Sequence, residues 1–180
     1  MNTANKITLL RVVLVPLFMA LFLCESALCR ILALAVFIIA SITDAVDGYI
    51  ARNYNQVTNF GKFVDPLADK MLTTAAFVIL VSYGRMSVWA LMIVLAREFM
   101  VSGIRSMAAA DGKVIAASMW GKLKTVSQMV AIIAAIILLL PYFPETAAKI
   151  ITDILVWLSV VFTVISGADY LMQNRSVLKM

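Results

Sequence analysis

Four aspartates form the most pointed chemical pattern in this chain. It reads Asp44-x-x-Asp47-Gly48-x-x-Ala51-Arg52, then eight residues, then Gly61-x-x-x-Asp65-x-x-x-Asp69. On helices, an i,i+3 spacing puts Asp44 and Asp47 on one face, and an i,i+4 spacing does the same for Asp65 and Asp69. The short polar connection Asn53–Gly61 makes the two helices antiparallel neighbours, so the carboxylate pairs face each other. Four carboxylates this close cannot all stay ionised and unpaired in a medium of low dielectric. Hard divalent cations resolve the conflict: Mg²⁺ takes one or two carboxylates plus substrate phosphates. Four aspartates can hold two such metals, which clamp a pyrophosphate and stabilise its leaving group. Gly48, Ala51 and Gly61 are small enough for helices and a nucleotide to approach closely, and Arg52 offers a fork for phosphate. The competing reading is a set of interior ion pairs with Arg52, Lys62 and Lys70. Acids inside membrane segments are rare and usually functional, which weighs against it.

The bulk composition narrows the chemistry further. Of 180 residues, 63% are hydrophobic and 14% charged, and none is histidine. Soluble domains run near ~45–50% apolar and ~25% charged, so this is not an ordinary soluble protein. Without histidine there is no serine–histidine triad, histidine-ligated zinc or haem, or phosphohistidine intermediate. Cys24 and Cys29 cannot make a four-thiolate site and are read as buried thiols at a helix end. The net charge of +5 is not clustered as on a nucleic-acid-binding domain. The cations instead mark a cytoplasmic face and phosphate contacts, and no nucleic-acid partner is expected.

The elements that must position these groups are membrane helices. Only Thr125–Pro144 is a long uncharged run; the other apolar stretches reach the roughly 20 residues of a span only by taking charges into the helix. That predicts an all-α polytopic membrane bundle, one domain over residues 1–180, with six spans near 7–24, 31–52, 62–83, 86–109, 122–141 and 149–171. Glu25-Ser26, Tyr83-Gly84 and Pro141-Tyr-Phe-Pro144 supply the breaks. Lys6, Arg11 and Val12–Cys24 imitate a signal peptide, but Arg11 and Pro16 interrupt the segment, so a retained first span is expected. With six spans, eleven of the 15 lysines and arginines fall on one side and three on the other, with Arg97 mid-span. Both termini and the acidic site are therefore expected on the cytoplasmic side of a multi-pass cell-membrane protein.

All eight fixed positions of the acidic pattern, with their spacing, resemble the signature of the CDP-alcohol phosphotransferases. Asn5-x-x-Thr8-x-x-Arg11 with Pro16, Asp65-Pro-Leu-Ala-Asp-Lys70, Ala96-Arg-Glu98 and Gly121-Lys-Leu-Lys-Thr125 extend the likeness over about residues 5–130. They point to members that move a phosphatidyl group from CDP-diacylglycerol to sn-glycerol 3-phosphate. The last span offers no motif.

The resemblance implies that Asp44, Asp47, Asp65 and Asp69 hold two divalent cations, Mg²⁺ or Mn²⁺, and that Asp69 is the general base. It implies a CDP site of Asp44, Gly48, Ala51, Arg52 and Gly61, and a homodimer. Thr8 and Arg11 either hydrogen-bond the nucleotide or cap the first helix. A phosphorylated acceptor needs cations, and Arg97, Arg105, Lys122 and Lys124 are the candidates. Arg97 has an alternative as an ion-pair partner of Glu98, and Lys113, Lys122 and Lys124 as solvated topology determinants. One rival reading is an inositol-phosphate acceptor. Another is a divalent-cation transporter, disfavoured because no internal repeat is visible. A purely structural protein has no need of four acids and a fixed arginine.

Overall fold

The computed structural model describes residues 3–53, 59–110, 115 and 118–175, with side chains at 8–43, 67, 68, 70–109, 115 and 118–175. Among the described residues there are six helices and no strand: α1 Thr3–Leu23, α2 Ala27–Asn53, α3 Asn59–Ser82, α4 Val88–Ala110, α5 Met119–Leu138 and α6 Glu145–Gln173. Every expected end lies within four residues of the observed one.

Local chemistry explains the boundaries. Gly84, at φ 65°, takes the left-handed conformation that follows a helix end, and its N–H donates to the Val81 carbonyl at 3.0 Å. Ser87 precedes α4, and its Oγ accepts from the Trp89 N–H at 3.3 Å; Ser118 precedes α5 and accepts from the Gly121 N–H at 3.2 Å. Both satisfy a first-turn amide that has no partner within its own helix. Pro144 precedes α6, and Glu145 sits in its first turn, where a negative charge complements the helix dipole.

By backbone proximity the chain forms two compact units, Met1–Leu80 with Leu139–Tyr142 and Val81–Leu138 with Phe143–Met180. In the first, α1 and α2 pack as a hairpin across the three-residue turn 24–26. The buried stripe of α1 is Thr8, Arg11, Val15, Phe18 and Phe22, alternating three and four residues apart as one helix face requires. Phe18 meets Phe22 edge-on at 5.7 Å and Phe37 of α2 at 5.6 Å. The expectation of two buried thiols is corrected here. Cys24 is exposed and Cys29 only half-buried, both free: Cys24 lies in the turn, and Cys29 in the first turn of α2.

In the second unit α4 and α5 pack on α6. The inner face of α6 carries Thr152, Ser159, Thr163 and Ser166 among Ala148, Val156, Val160, Gly167 and Tyr170. Its exposed face carries Ile150, Ile154, Trp157, Leu158, Val161 and Val164. A helix packed in water has the opposite arrangement. The inner hydroxyls are satisfied locally: Thr152 donates to the Ala148 carbonyl at 2.8 Å, Ser159 to Val156 at 2.7 Å and Thr163 to Ser159 at 2.7 Å. Gln128 of α5 donates to Thr163 Oγ1 at 3.2 Å and joins the two helices. Small and hydroxylated residues inside with bulky apolar ones outside is the arrangement of a helix surrounded by lipid. α5 and α6 are long and apolar enough to cross a membrane by length and composition, and Thr8–Leu23, Ala27–Thr43 and Lys70–Ser82 are shorter apolar helical stretches.

Candidate functional site

The expected acidic site falls on helices with the required register. Asp44, Asp47, Gly48, Ala51 and Arg52 belong to α2, and Gly61, Asp65 and Asp69 to α3. Both spacings are therefore realised on helical backbone, which puts each aspartate pair on one face. The side chains at these eight positions, and Lys113, lie outside the described residues. Among the described residues no three His, Cys, Asp or Glu side chains stand together as a metal site. The donor set of four carboxylates is the chemistry that Mg²⁺ or Mn²⁺ requires, hard oxygen ligands and nothing softer.

Thr8 and Arg11 are at the polar end of the buried α1 stripe, 1% and 0% exposed. α1 begins at Thr3, so both lie past the first turn. This removes the alternative that they cap the helix. A threonine and a cation together on the buried face mark this end of α1 as polar inside.

The basic residues of the second unit resolve into two groups. Arg97 of α4 donates from Nη1 to Glu98 Oε1 at 3.1 Å and from Nη2 to Ser166 Oγ of α6 at 2.6 Å. Lys124 of α5 donates to the same Glu98 oxygen at 2.5 Å. The side chains of Arg97, Glu98 and Lys124 are 12%, 19% and 7% exposed. One carboxylate thus gathers two cations and joins α4 to α5, and Arg97 extends the cluster to α6 through Ser166. Gly167 makes the room: a Cβ there would sit 3.2 Å from Arg97 Cγ, closer than ordinary contact. Arg97 Nε–H is buried with no acceptor among the described residues.

Arg105, two turns further along α4, belongs to the other group. Its Nε donates to Tyr170 Oη of α6 at 3.3 Å, and its guanidinium carbon lies 5.7 Å from the centre of that ring, within cation–π range. Lys122 is exposed. Of the four cations expected at the acceptor, the structure brings Arg97 and Lys124 together, holds Arg105 on Tyr170 and leaves Lys122 at the surface. The Arg97–Glu98 ion pair anticipated as an alternative is present, with Lys124 added to it. Ser166, Gly167 and Tyr170 went unremarked in the sequence. The only signal was a hydroxyl and a glycine adjacent in an apolar helix.

Comparison with known proteins gives a consistent result. A family model described as CDP-alcohol phosphatidyltransferase matches residues 1–165. The chain is similar to the CDP-diacylglycerol–glycerol-3-phosphate 3-phosphatidyltransferase of Bacillus subtilis, 45% identical over 99% of this chain and 97% of that protein. It is 37% identical to the protein of the same name in Rickettsia typhi, over 94% of each chain. It is also 42% identical to a probable phosphatidylglycerophosphate synthase of Mycobacterium tuberculosis, over 94% of this chain and 79% of that one.

Proposed function

The chain belongs to the CDP-alcohol phosphatidyltransferase family, and on that premise we propose that it transfers the phosphatidyl group of CDP-diacylglycerol to sn-glycerol 3-phosphate. The products are phosphatidylglycerophosphate and CMP. The observation that carries this reading is the near full-length likeness to proteins named for that reaction. The acidic signature on helical backbone agrees with it.

The reaction is a direct displacement. The primary hydroxyl of the acceptor gives its proton to Asp69 and attacks the β-phosphorus of CDP-diacylglycerol. The new O–P bond forms as the bond from that phosphorus to the bridging oxygen breaks, and CMP leaves with the electron pair. Asp44, Asp47, Asp65 and Asp69 would hold two divalent cations, Mg²⁺ or Mn²⁺, which when bound supply charge neutralisation at the pyrophosphate. Thr8, Arg11, Gly48, Ala51, Arg52 and Gly61 hold the cytidine diphosphate. Arg97, Arg105, Lys122 and Lys124 hold the acceptor phosphate, cations that a phosphorylated acceptor needs and a neutral alcohol or a zwitterion does not. The enzyme works as a six-span homodimer of the cell membrane with its termini and site toward the cytoplasm.

The test is CMP release by the full chain in detergent with CDP-diacylglycerol and a panel of acceptors. Turnover is expected with glycerol 3-phosphate, loss on chelation, and recovery with Mg²⁺ or Mn²⁺. Asp69→Asn should lower kcat by about 10²–10⁴-fold, the usual worth of a general base. Equal activity with inositol phosphate or serine overturns the acceptor, and undiminished turnover in Asp69→Asn overturns the base.

A further inference from the structure

We propose that α6 is the positioning wall of the acceptor site: Ser166, Gly167 and Tyr170 orient Arg97 and Arg105 for the acceptor phosphate. The inference rests on the reading of those arginines as acceptor-phosphate ligands. It assigns a role to a helix whose sequence carries no motif, at residues beyond the span 1–165 matched by the family model.

Three contacts carry it, all from one face of α6 to the two arginines of α4. Ser166 Oγ accepts from Arg97 Nη2 at 2.6 Å. Gly167 leaves the space that the Arg97 stem occupies, since a Cβ there would lie 3.2 Å from Arg97 Cγ. Tyr170 Oη accepts from Arg105 Nε at 3.3 Å, with its ring 5.7 Å from the guanidinium carbon. Residues 166, 167 and 170 share a face by helical spacing. The contacts ascend in the same direction, 97 with 166 and 105 with 170, so α4 and α6 run parallel here, the longer advance along α4 being bridged by the long Arg105 and Tyr170 side chains.

The physical gain is preorganisation. A free arginine side chain has many rotamers, and binding a phosphate through it loses that freedom at the moment of association. A guanidinium already fixed through one or two of its five N–H donors keeps the others for the ligand and loses little more. Arg97 retains the buried Nε–H that no described residue accepts, a donor the fold leaves for something else. On this reading the wall acts on the acceptor, which the two KM values distinguish from an effect on the cytidine nucleotide.

Steady-state kinetics of the full chain in detergent separate the possibilities, with glycerol 3-phosphate and CDP-diacylglycerol varied in turn. Ser166→Ala should raise the KM for glycerol 3-phosphate about 3- to 10-fold and Tyr170→Phe about 3-fold, as expected for loss of part of a charge-assisted hydrogen bond. The KM for CDP-diacylglycerol and kcat should stay within about twofold in both, because binding is lost uniformly. Inorganic phosphate, as a competitor of glycerol 3-phosphate, should weaken in parallel. Ser166→Ala in an Arg97→Lys background should add nothing further, since the group it positions is gone. If Arg97→Lys and Arg105→Lys raise the acceptor KM while Ser166→Ala and Tyr170→Phe leave it unmoved, the wall is refuted and the acceptor reading stands. If the arginine variants leave the acceptor KM unmoved, the acceptor reading itself fails. An equal rise in both KM values also refutes the wall. If Ser166→Ala does not fold, Tyr170→Phe, which deletes a single oxygen, carries the same test.

Discussion

Replacing Glu98 with glutamine should destabilise the protein more than replacing Lys124, one of the two cations it holds. Glu98 Oε1 accepts from Arg97 at 3.1 Å and from Lys124 at 2.5 Å. All three side chains are largely buried, the most exposed being Glu98 at 19%. Removing one member of a buried pair costs about 3–5 kcal/mol, because the remaining charge is left without compensation. Here two cations are left facing each other, while the glutamine oxygen still accepts one hydrogen bond, so the lower end, about 3 kcal/mol, is appropriate. For a chain of this length about 1 kcal/mol moves Tm by roughly 2–4 °C, which gives a fall of about 6–12 °C. Lys124→Met, by contrast, leaves a neutral Arg97–Glu98 pair and fills the space with an apolar chain, so it should cost about 1 kcal/mol or less. The double variant Glu98→Gln/Lys124→Met restores the wild-type net charge of the cluster and should be no less stable than Glu98→Gln alone. Thermal unfolding in detergent, followed by the fluorescence of Trp89, Trp120 and Trp157, measures all three. A Glu98→Gln protein within about 2 °C of wild type, or a double variant that falls by the sum of the singles, would refute the reasoning.

Two further outcomes are expected. Arg11→Met, which removes a cation that is 0% exposed, should raise the KM for CDP-diacylglycerol by about tenfold or more and leave that for glycerol 3-phosphate within about twofold; the reverse split would place Arg11 on the acceptor. Gly84→Ala forces a side chain into φ 65°, with nothing within 4 Å to clash. The cost is then conformational only, about 1–2 kcal/mol, seen as a Tm lower by a few degrees with kcat unchanged at 25 °C.

Much of the fold was legible because the chain marks its own breaks. Glu25-Ser26, Gly84 and Pro144 interrupt apolar runs at the places where α1, α3 and α6 end or begin, so the six helices fell within four residues of expectation. The acidic pattern was legible because an i,i+3 or i,i+4 spacing becomes a shared face once the backbone is helical. What escaped was pairing across the bundle. Lys124 finds Glu98 across 26 residues of sequence and Ser166 finds Arg97 across 69, and no local pattern encodes such a meeting. Serine, glycine and tyrosine in an apolar helix form no motif. The cysteines misled for the opposite reason: their apolar character suggested burial, but Cys24 falls in a three-residue turn and Cys29 at the exposed start of α2.

The inverted faces of α6 change how variation along it should be weighed. In a water-soluble helix, hydrophobicity protects the inside and the outside tolerates almost anything. Here the tolerant property differs by face. Against neighbouring helices, bulk is the threat: Ser159 can lose its hydroxyl more safely than it can gain a large side chain, and Gly167 cannot gain even a methyl without pressing on Arg97. Against the lipid surroundings, charge is the threat: Ile154, Val161 and Val164 can shrink or exchange among themselves but cannot become ionic without a large penalty. A substitution scale built on soluble proteins would misjudge both faces, and in opposite directions.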